Sequence, residues 1–374
     1  MRRNLFAVAA FGTAGLLALT ACGSSSSGST ATAGSSSAAT ATGTVGVILP
    51  DSASSPRWES ADRPFLTKAF TDAGLKSDIQ NAGGDVTKFQ TIADGMISEG
   101  VKVLMIVNLD SNSGAAVIKK ATNAGIPVID YDRLTLNGGA QYYVSFDNVA
   151  VGKTIGDGLV KCMQANGDKS GGVVELDGSP TDNNATLFKQ GYDTAIKAAG
   201  YTVAADQAVP DWDAIKGGTL FAQIDTKLKG KYVGVAAAND TLGGAVIARL
   251  KTDGTAGKIP VTGQDASVEG LQRILLGTQC MSVYKSTKLE ADAASKLAIA
   301  LIKQDKSAAS AIATGTINDN GPGKAVANIP AVLLTPQSIT KENVKDVVSD
   351  GATTADAICT TAPLKKACTA NGVS

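Results

Sequence analysis

The sequence contains no histidine. That absence removes every Ser-His-Asp or Cys-His nucleophile and every His-ligated metal centre. Charge of one sign is also missing: Lys+Arg and Asp+Glu both number 34, so no basic excess draws the chain onto nucleic acid. Cysteine is scarce, five in 374 residues, without C-x-x-C or metal-ligand spacing. That argues against a zinc or thioredoxin-like role. Aromatic residues make up only 5%. Cofactor motifs fail as well. Gly152-Lys153-Thr154 has the ending of a phosphate-binding loop, but Asp147 stands where its first glycine is required, and no G-x-G-x-x-G opens a helix. What remains is a chain that is 44% apolar with 41 glycines, too apolar for disorder and long enough for two or three domains.

One long apolar run exists. Met1-Arg2-Arg3-Asn4 is followed by Leu5–Ala21, 17 uncharged residues, short of the roughly 20 a spanning helix needs. The arrangement predicts a signal peptide over 1–21. It ends Leu19-Thr20-Ala21-Cys22-Gly23, which resembles a bacterial lipobox and marks Cys22 for lipidation. Ser24–Gly43 holds only Ser, Gly, Ala and Thr. Such a segment reads as a flexible tether with a reach of roughly 25 Å, so 22–43 is expected to hold the rest outside the cytoplasm on a lipid anchor. In that compartment Cys162, Cys280, Cys359 and Cys368 can form two disulfides. Cys359 and Cys368 are the favoured pair; Cys162 and Cys280 either pair with each other or stay as buried thiols.

From Thr44 onward strands and helices alternate. Thr44–Pro50 and Val101–Val107 are short apolar strand patterns, the second continuous enough for a parallel sheet covered on both faces. Asp85–Gly100 is an amphipathic helix with Phe89, Ile92, Ala93, Met96 and Ile97 on one face. The pattern restarts after Asp147, with strands at Gly172–Leu176, Thr202–Asp206, Tyr232–Ala237 and Pro260–Thr262 between helices. An internal repeat accompanies it. Gly100–Asp110, Gly125-Ile-Pro-Val128 and Asp132 are echoed by Lys231–Asp240, Lys258-Ile-Pro-Val261 and Asp265. Repeated βα units over about 330 residues imply an α/β protein of two doubly wound parallel-sheet domains. Ligands bind such sheets beyond the carboxyl ends of the strands, where Asp132 and Asp265 both fall.

Eight segments in order carry a family resemblance: Arg57-Trp58-Glu59, Tyr131-Asp132-Arg133, Ser145–Asn148, Gly178–Asn184, Asn239-Asp240, Gly263-Gln264-Asp265, Val283-Tyr284-Lys285 and Leu334-Thr335-Pro336. From Val45 to Asp350 the chain resembles the ribose/galactose type I sugar-binding lipoproteins of bacterial ABC importers. The resemblance implies two domains joined by a three-strand hinge, 44–146 plus 285–328 and 147–284 plus 329–374, with crossovers near Ser145–Asn148, Tyr284–Lys285 and Asn328–Leu333. It implies sugar ligands at Arg57, Asp132, Arg133, Asp182, Asn184, Asn239, Asp265 and Lys285, with Trp58 and Trp212 as opposing aromatic walls. It also implies a monomer without cofactor or metal that takes an aldose, D-xylose foremost, and delivers it to a permease. Glucose, galactose or several sugars, or delivery to a sensor, are the alternatives within the class.

The chemistry of these residues agrees. A sugar offers vicinal hydroxyls, each donor and acceptor, and a C–H face. Arg forks and carboxylates satisfy the hydroxyls, and aromatic rings cover the face. The rival from another class is an exported sugar hydrolase using Asp132 and Asp265 as paired carboxylates. Their cationic or amide neighbours favour ionised ligands over a protonated acid, so the expectation is no enzyme.

Overall fold

The computed structural model describes residues 42–321 and 326–374; the expected signal peptide, Cys22 and the tether up to residue 41 lie outside them. The first lobe is wound from β1 (Thr44–Leu49), α1 (Arg63–Asp72), β2 (Lys76–Asn81), α2 (Val86–Glu99), β3 (Val103–Ile106), α3 (Ser111–Asn123), β4 (Val128–Tyr131) and β5 (Tyr142–Phe146). A wide helical turn, Trp58–Asp62, leads directly into α1. The chain then builds the second lobe from α4 (Asn148–Ala165), β6 (Gly172–Asp177), α5 (Asn183–Ala198), β7 (Thr202–Ala208), α6 (Ala214–Leu228), β8 (Gly234–Ala237), α7 (Asp240–Thr252), α8 (Val268–Leu275) and β9 (Ser282–Tyr284). It returns to the first with α9 (Thr287–Ile302), α10 (Lys306–Ile312), β10 (Gly315–Asp319) and β11 (Val326–Leu334). The last stretch, β12 (Gln337–Ile339), α11 (Val344–Ser349), α12 (Ala355–Ile358) and α13 (Ala362–Ala370), belongs to the second lobe. Among the described residues no helix is long and apolar enough to cross a membrane.

The first sheet has the order β10-β11-β5-β4-β3-β1-β2, parallel except for the β10–β11 edge. Its double winding follows from side-chain alternation. Val45, Val47 and Leu49 enter one core with Val103 and Met105, while Ile48, Leu104 and Ile106 enter the other with Phe89, Met96 and Val117. The second sheet is smaller: β7-β6-β8 run parallel, and single bridges link Val235 to Val261 and Gln264 to Val283. The predicted strand Pro260–Thr262 is therefore reduced to one bridge. β12 pairs antiparallel with β9, and the tail packs Ile339, Val344, Ile358 and Leu364 on Leu271 and Ile274 of α8.

Crossovers fall at Asp147, at Lys285–Ser286 and at Thr335–Pro336. The third corrects the expected position near 328–333. β11 pairs with β5 from Ala331–Tyr143 through Leu334–Phe146, so residues 329–334 belong to the first lobe's sheet. The ladder stops where Pro336 has no N–H to donate.

Two disulfides brace the second lobe. Cys162 on α4 joins Cys280 before β9, with Cα atoms 6.4 Å apart, and Cys359 joins Cys368 across the tail, at 6.2 Å. Glycine allows α4 and α5 to cross closely: a Cβ on Gly152 would collide with the carbonyl of Phe188, and one on Gly191 with the backbone of Lys153.

Candidate functional site

Residues that follow the strands of both lobes, and the caps of α5 and α7, line a common cleft. The residues that start those helices are polar for local reasons. Asp182 accepts from Asn184 N at 2.9 Å to cap α5, and Asn239 accepts from Leu242 N at 2.9 Å to cap α7. Asp132 and Asp265 leave their strands in left-handed backbone, φ 63° and 89°. Their N–H groups donate to Val144 O and Val283 O, each at 2.8 Å. Trp212 has φ 56°, and its ring lies over Gly178, where any Cβ would strike it.

All ten residues singled out as ligands line one chamber: Arg57, Trp58, Asp132, Arg133, Asp182, Asn184, Trp212, Asn239, Asp265 and Lys285. The chamber adds Ser54, Ser55, Phe188 and Gln264, which sequence reasoning missed. Nothing in the Ser54-Ser55 loop sets it apart from other polar loops, and Phe188 reads as an ordinary core position of its helix. Gln264 was visible only as part of the Gly263-Gln264-Asp265 segment.

Three cations and three carboxylates stand around this chamber in contact. Arg57 Nη1 donates to Asp132 Oδ2 at 2.9 Å. Lys285 Nζ lies 3.7 Å from Asp132 Oδ2 and 3.5 Å from Asp265 Oδ1. Arg133 Nε lies 3.0 Å from Asp182 Oδ2. Burial alone would push the Asp132 carboxyl up, but Lys285, Arg57 and Arg133 outweigh it and hold it below the usual value. Burial prevails at Asp182, whose carboxyl is pushed up despite Arg133. Lys285 is held above the ordinary lysine value: burial opposes this, and Asp132 and Asp265 override it.

Polar bonds already tie the lobes together. Asn184 Nδ2 donates to Asp132 O at 2.9 Å, Asn239 Nδ2 to Ser54 O at 3.1 Å, and Ser55 Oγ to Asp265 Oδ2 at 3.1 Å. Two buried acceptors of lining residues, Asp265 Oδ1 and Gln264 Oε1, receive no hydrogen bond. The aromatic walls are fixed by their own partners. Trp58 Nε1 donates to Ser54 Oγ at 3.1 Å and the Arg57 guanidinium lies 4.5 Å from its ring centre. Trp212 Nε1 donates to Asp182 Oδ2 at 3.2 Å and its ring meets Phe188 edge-on at 6.4 Å.

Elsewhere, Glu175, Asp177 and Asp206 form the one carboxylate group close enough to hold a metal among the described residues. The ammonium of Lys189 takes that position, 2.7, 3.2 and 2.7 Å from the three.

Two sheets joined by three crossovers, with a polar, aromatic-walled chamber between their strand ends, define a type I binding-protein fold. The periplasmic binding protein domain matches residues 45–306, and the chain belongs to that family. It is similar to the D-xylose-binding periplasmic protein of Haemophilus influenzae, 34% identical over 82% of this chain and 90% of that one. It is also similar to the multiple sugar-binding periplasmic receptor ChvE of Rhizobium radiobacter, 32% identical over 83% and 90%. Among solved structures, an ABC transporter solute binding protein of Clostridium phytofermentans with bound β-D-glucose aligns with a TM-score of 0.74 at 26% identity, covering 84% of this chain and 99% of that one.

Proposed function

We propose that the protein is a non-enzymatic, extracytoplasmic solute-binding component of an ABC sugar importer, and that it takes an aldose, D-xylose foremost, into the chamber. The observation that carries this reading is the balance of the lining. Arg57, Arg133 and Lys285 are matched by Asp132, Asp182 and Asp265, so the chamber has no net charge to offer an ionic solute. It does offer donors and acceptors in number between two tryptophans. Asp265 Oδ1 and Gln264 Oε1 are acceptors that hydroxyl donors would satisfy. Because both lobes contribute, a bound sugar favours the closed arrangement over an open one through contacts to each.

The hydrolase reading loses support from the same geometry. Lys285, Arg57 and Arg133 hold Asp132 below its usual value, which suits it only to the ionised role of the pair, and the partner carboxylate that would have to be the acid, Asp265, lies 3.5 Å from the Lys285 ammonium. The relatives divide between a D-xylose-binding protein and a multiple-sugar receptor, and the similar Clostridium phytofermentans structure holds β-D-glucose. Calorimetry with a panel of pentoses and hexoses therefore decides the ligand. Saturable binding of D-xylose tighter than of glucose or galactose is expected; equal binding of several makes it a multi-sugar receptor, and no aldose binding removes the reading. The lipid anchor at Cys22 is part of the proposal: Cys22→Ala protein should leave the membrane fraction and keep its sugar binding.

A further inference from the structure

Arg57 is the most heavily engaged side chain of the site, and most of its partners lie behind the chamber wall. Nε donates to Asp62 Oδ2 at 2.9 Å and Nη2 to Asp62 Oδ1 at 2.8 Å, a bidentate fork. Nη2 also donates to Glu290 Oε2 at 2.5 Å, and Nη1 to Asp132 Oδ2 at 2.9 Å. A guanidinium has five N–H groups, so these four bonds leave one, on Nη1, for a ligand. Asp62 and Glu290 are fully buried and neither lines the chamber. Asp62 is fixed in turn by Tyr131, whose hydroxyl donates to Oδ1 at 2.6 Å.

Glu290 has a place of its own. It sits in the first turn of α9, whose cap Ser286 follows Lys285 at the second crossover, and Glu290 N donates to Ser286 O at 3.1 Å. One short segment thus runs from a chamber cation, through a hinge strand, to the clamp on Arg57. Facing Glu290 are Arg57 and Asp62 from the turn before α1, Tyr131 and Asp132 from the end of β4, Tyr143 from β5, and Lys285.

We infer that Glu290 is a positioning residue for the sugar-reading guanidinium of Arg57, and that it holds Nη2 as a neutral carboxylic acid. Geometry supports the neutral form. Asp62 and Asp132 already supply two carboxylates to Arg57, and Glu290 Oε1 accepts no hydrogen bond, so a third buried charge would be half unsolvated. In accord, burial first, then Asp132 and Asp62, push its carboxyl up to about 8 against the pull of Arg57 and Lys285. The role rests on the proposed sugar site but can be read without sugar. Arg57 stacks on Trp58, so a change of charge at Glu290 moves a cation over an indole ring.

The test uses the full chain in three forms: wild type, Glu290→Gln and Glu290→Leu. Without ligand, wild-type tryptophan emission should show a titration step near pH 8 that Glu290→Gln lacks. With D-xylose, wild-type affinity should hold up to about pH 7 and weaken above about pH 8, because a third ionised carboxylate on Arg57 draws the guanidinium away from the ligand, so that the sugar-bound form favours the protonated acid. Glu290→Gln keeps the acceptor for Nη2, so at pH 7 it should bind within about threefold of wild type, with a flat profile to pH 9. Glu290→Leu, which leaves Nη2 short of a partner, should lose about 10- to 100-fold. An emission step that persists in Glu290→Gln overturns the inference, as does a Gln variant as weak as the Leu variant at pH 7. If the step disappears in Glu290→Gln but no aldose binds the wild type, the positioning of Arg57 stands and the aldose reading falls.

Discussion

Asp132 and Asp265 occupy the same place in the two lobes. Each follows an Ile-Pro-Val segment, each has positive φ, and each sends its N–H 2.8 Å to a valine carbonyl of the next strand. Their surroundings diverge. Asp132 is locked by Arg57, Lys285 and Asn184, whereas Asp265 receives only Ser55 at one oxygen and lies 3.5 Å from Lys285 at the other. The same backbone device carries a saturated anchor in the first lobe and an acceptor with a free side in the second. The lobes divide again in their bracing. The first lobe contains no cysteine, and both disulfides lie in the second, whose sheet is smaller and partly reduced to single bridges. A larger hydrogen-bonded sheet suffices on one side, and covalent closure supplements a smaller one on the other.

The bracing contrast has the largest expected effect. Cys162 and Cys280 close a loop 118 residues apart in sequence, so replacing both by Ser should cost the second lobe about 4–5 kcal/mol by the chain-entropy argument. Removing Cys359–Cys368, 9 residues apart, should cost about 2–3 kcal/mol. Urea unfolding of each double variant measures this. The contrast collapses if reduction leaves the midpoint where it was, or if both pairs matter equally.

Next comes the pair of acids. Asp132→Ala would strand Arg57 and Lys285 and should weaken sugar binding by about 3–5 kcal/mol, the cost of breaking a buried charge-assisted pair. Asp265→Ala should cost about 2 kcal/mol, and a change at exposed Lys119 almost nothing. Calorimetry that ranks Asp265 above Asp132 would show that the open acceptor, and not the saturated anchor, governs recognition.

A smaller effect concerns pH. Burial raises Asp130 to about 7 in the first lobe, and Glu175 to about 7, Asp177 to about 6 and Asp240 to about 6 in the second. Each native acid keeps a proton that the unfolded chain releases near its ordinary value. Their contribution to stability should therefore be full below about pH 4 and be lost as pH rises through about 6 to 7. Melting temperatures at pH 5.5 and 8 check the sign, and Asp130→Asn should flatten only the first lobe's share. A melting temperature that rises over this interval would mean that these buried acids are already ionised in the native protein.

The chamber residues are legible in the sequence because they sit at strand ends and helix caps, where local pattern and position coincide. The internal repeat pairs Asp132 with Asp265, and their backbone geometry matches. Residues beyond Thr262 were less legible. α8 and the tail helices α11–α13 are short, and β11 continues past Pro330 against the expected domain boundary. Glu290 was invisible for a different reason. Glu290 meets Arg57 across 233 positions, and no local spacing announces a buried charge whose partner is that remote.

Asp182 and Asn239 each do two jobs: one oxygen of each closes the first turn of a helix while the residue faces the chamber. Any change at these positions that retunes the ligand also uncaps α5 or α7, at about 1 kcal/mol each. Ser54 and Gln264 cap no helix. A receptor redesigned or selected for a different solute should therefore accumulate its substitutions first at such uncapped lining positions, and reach Asp182 and Asn239 only after stabilising changes elsewhere have made room for the loss.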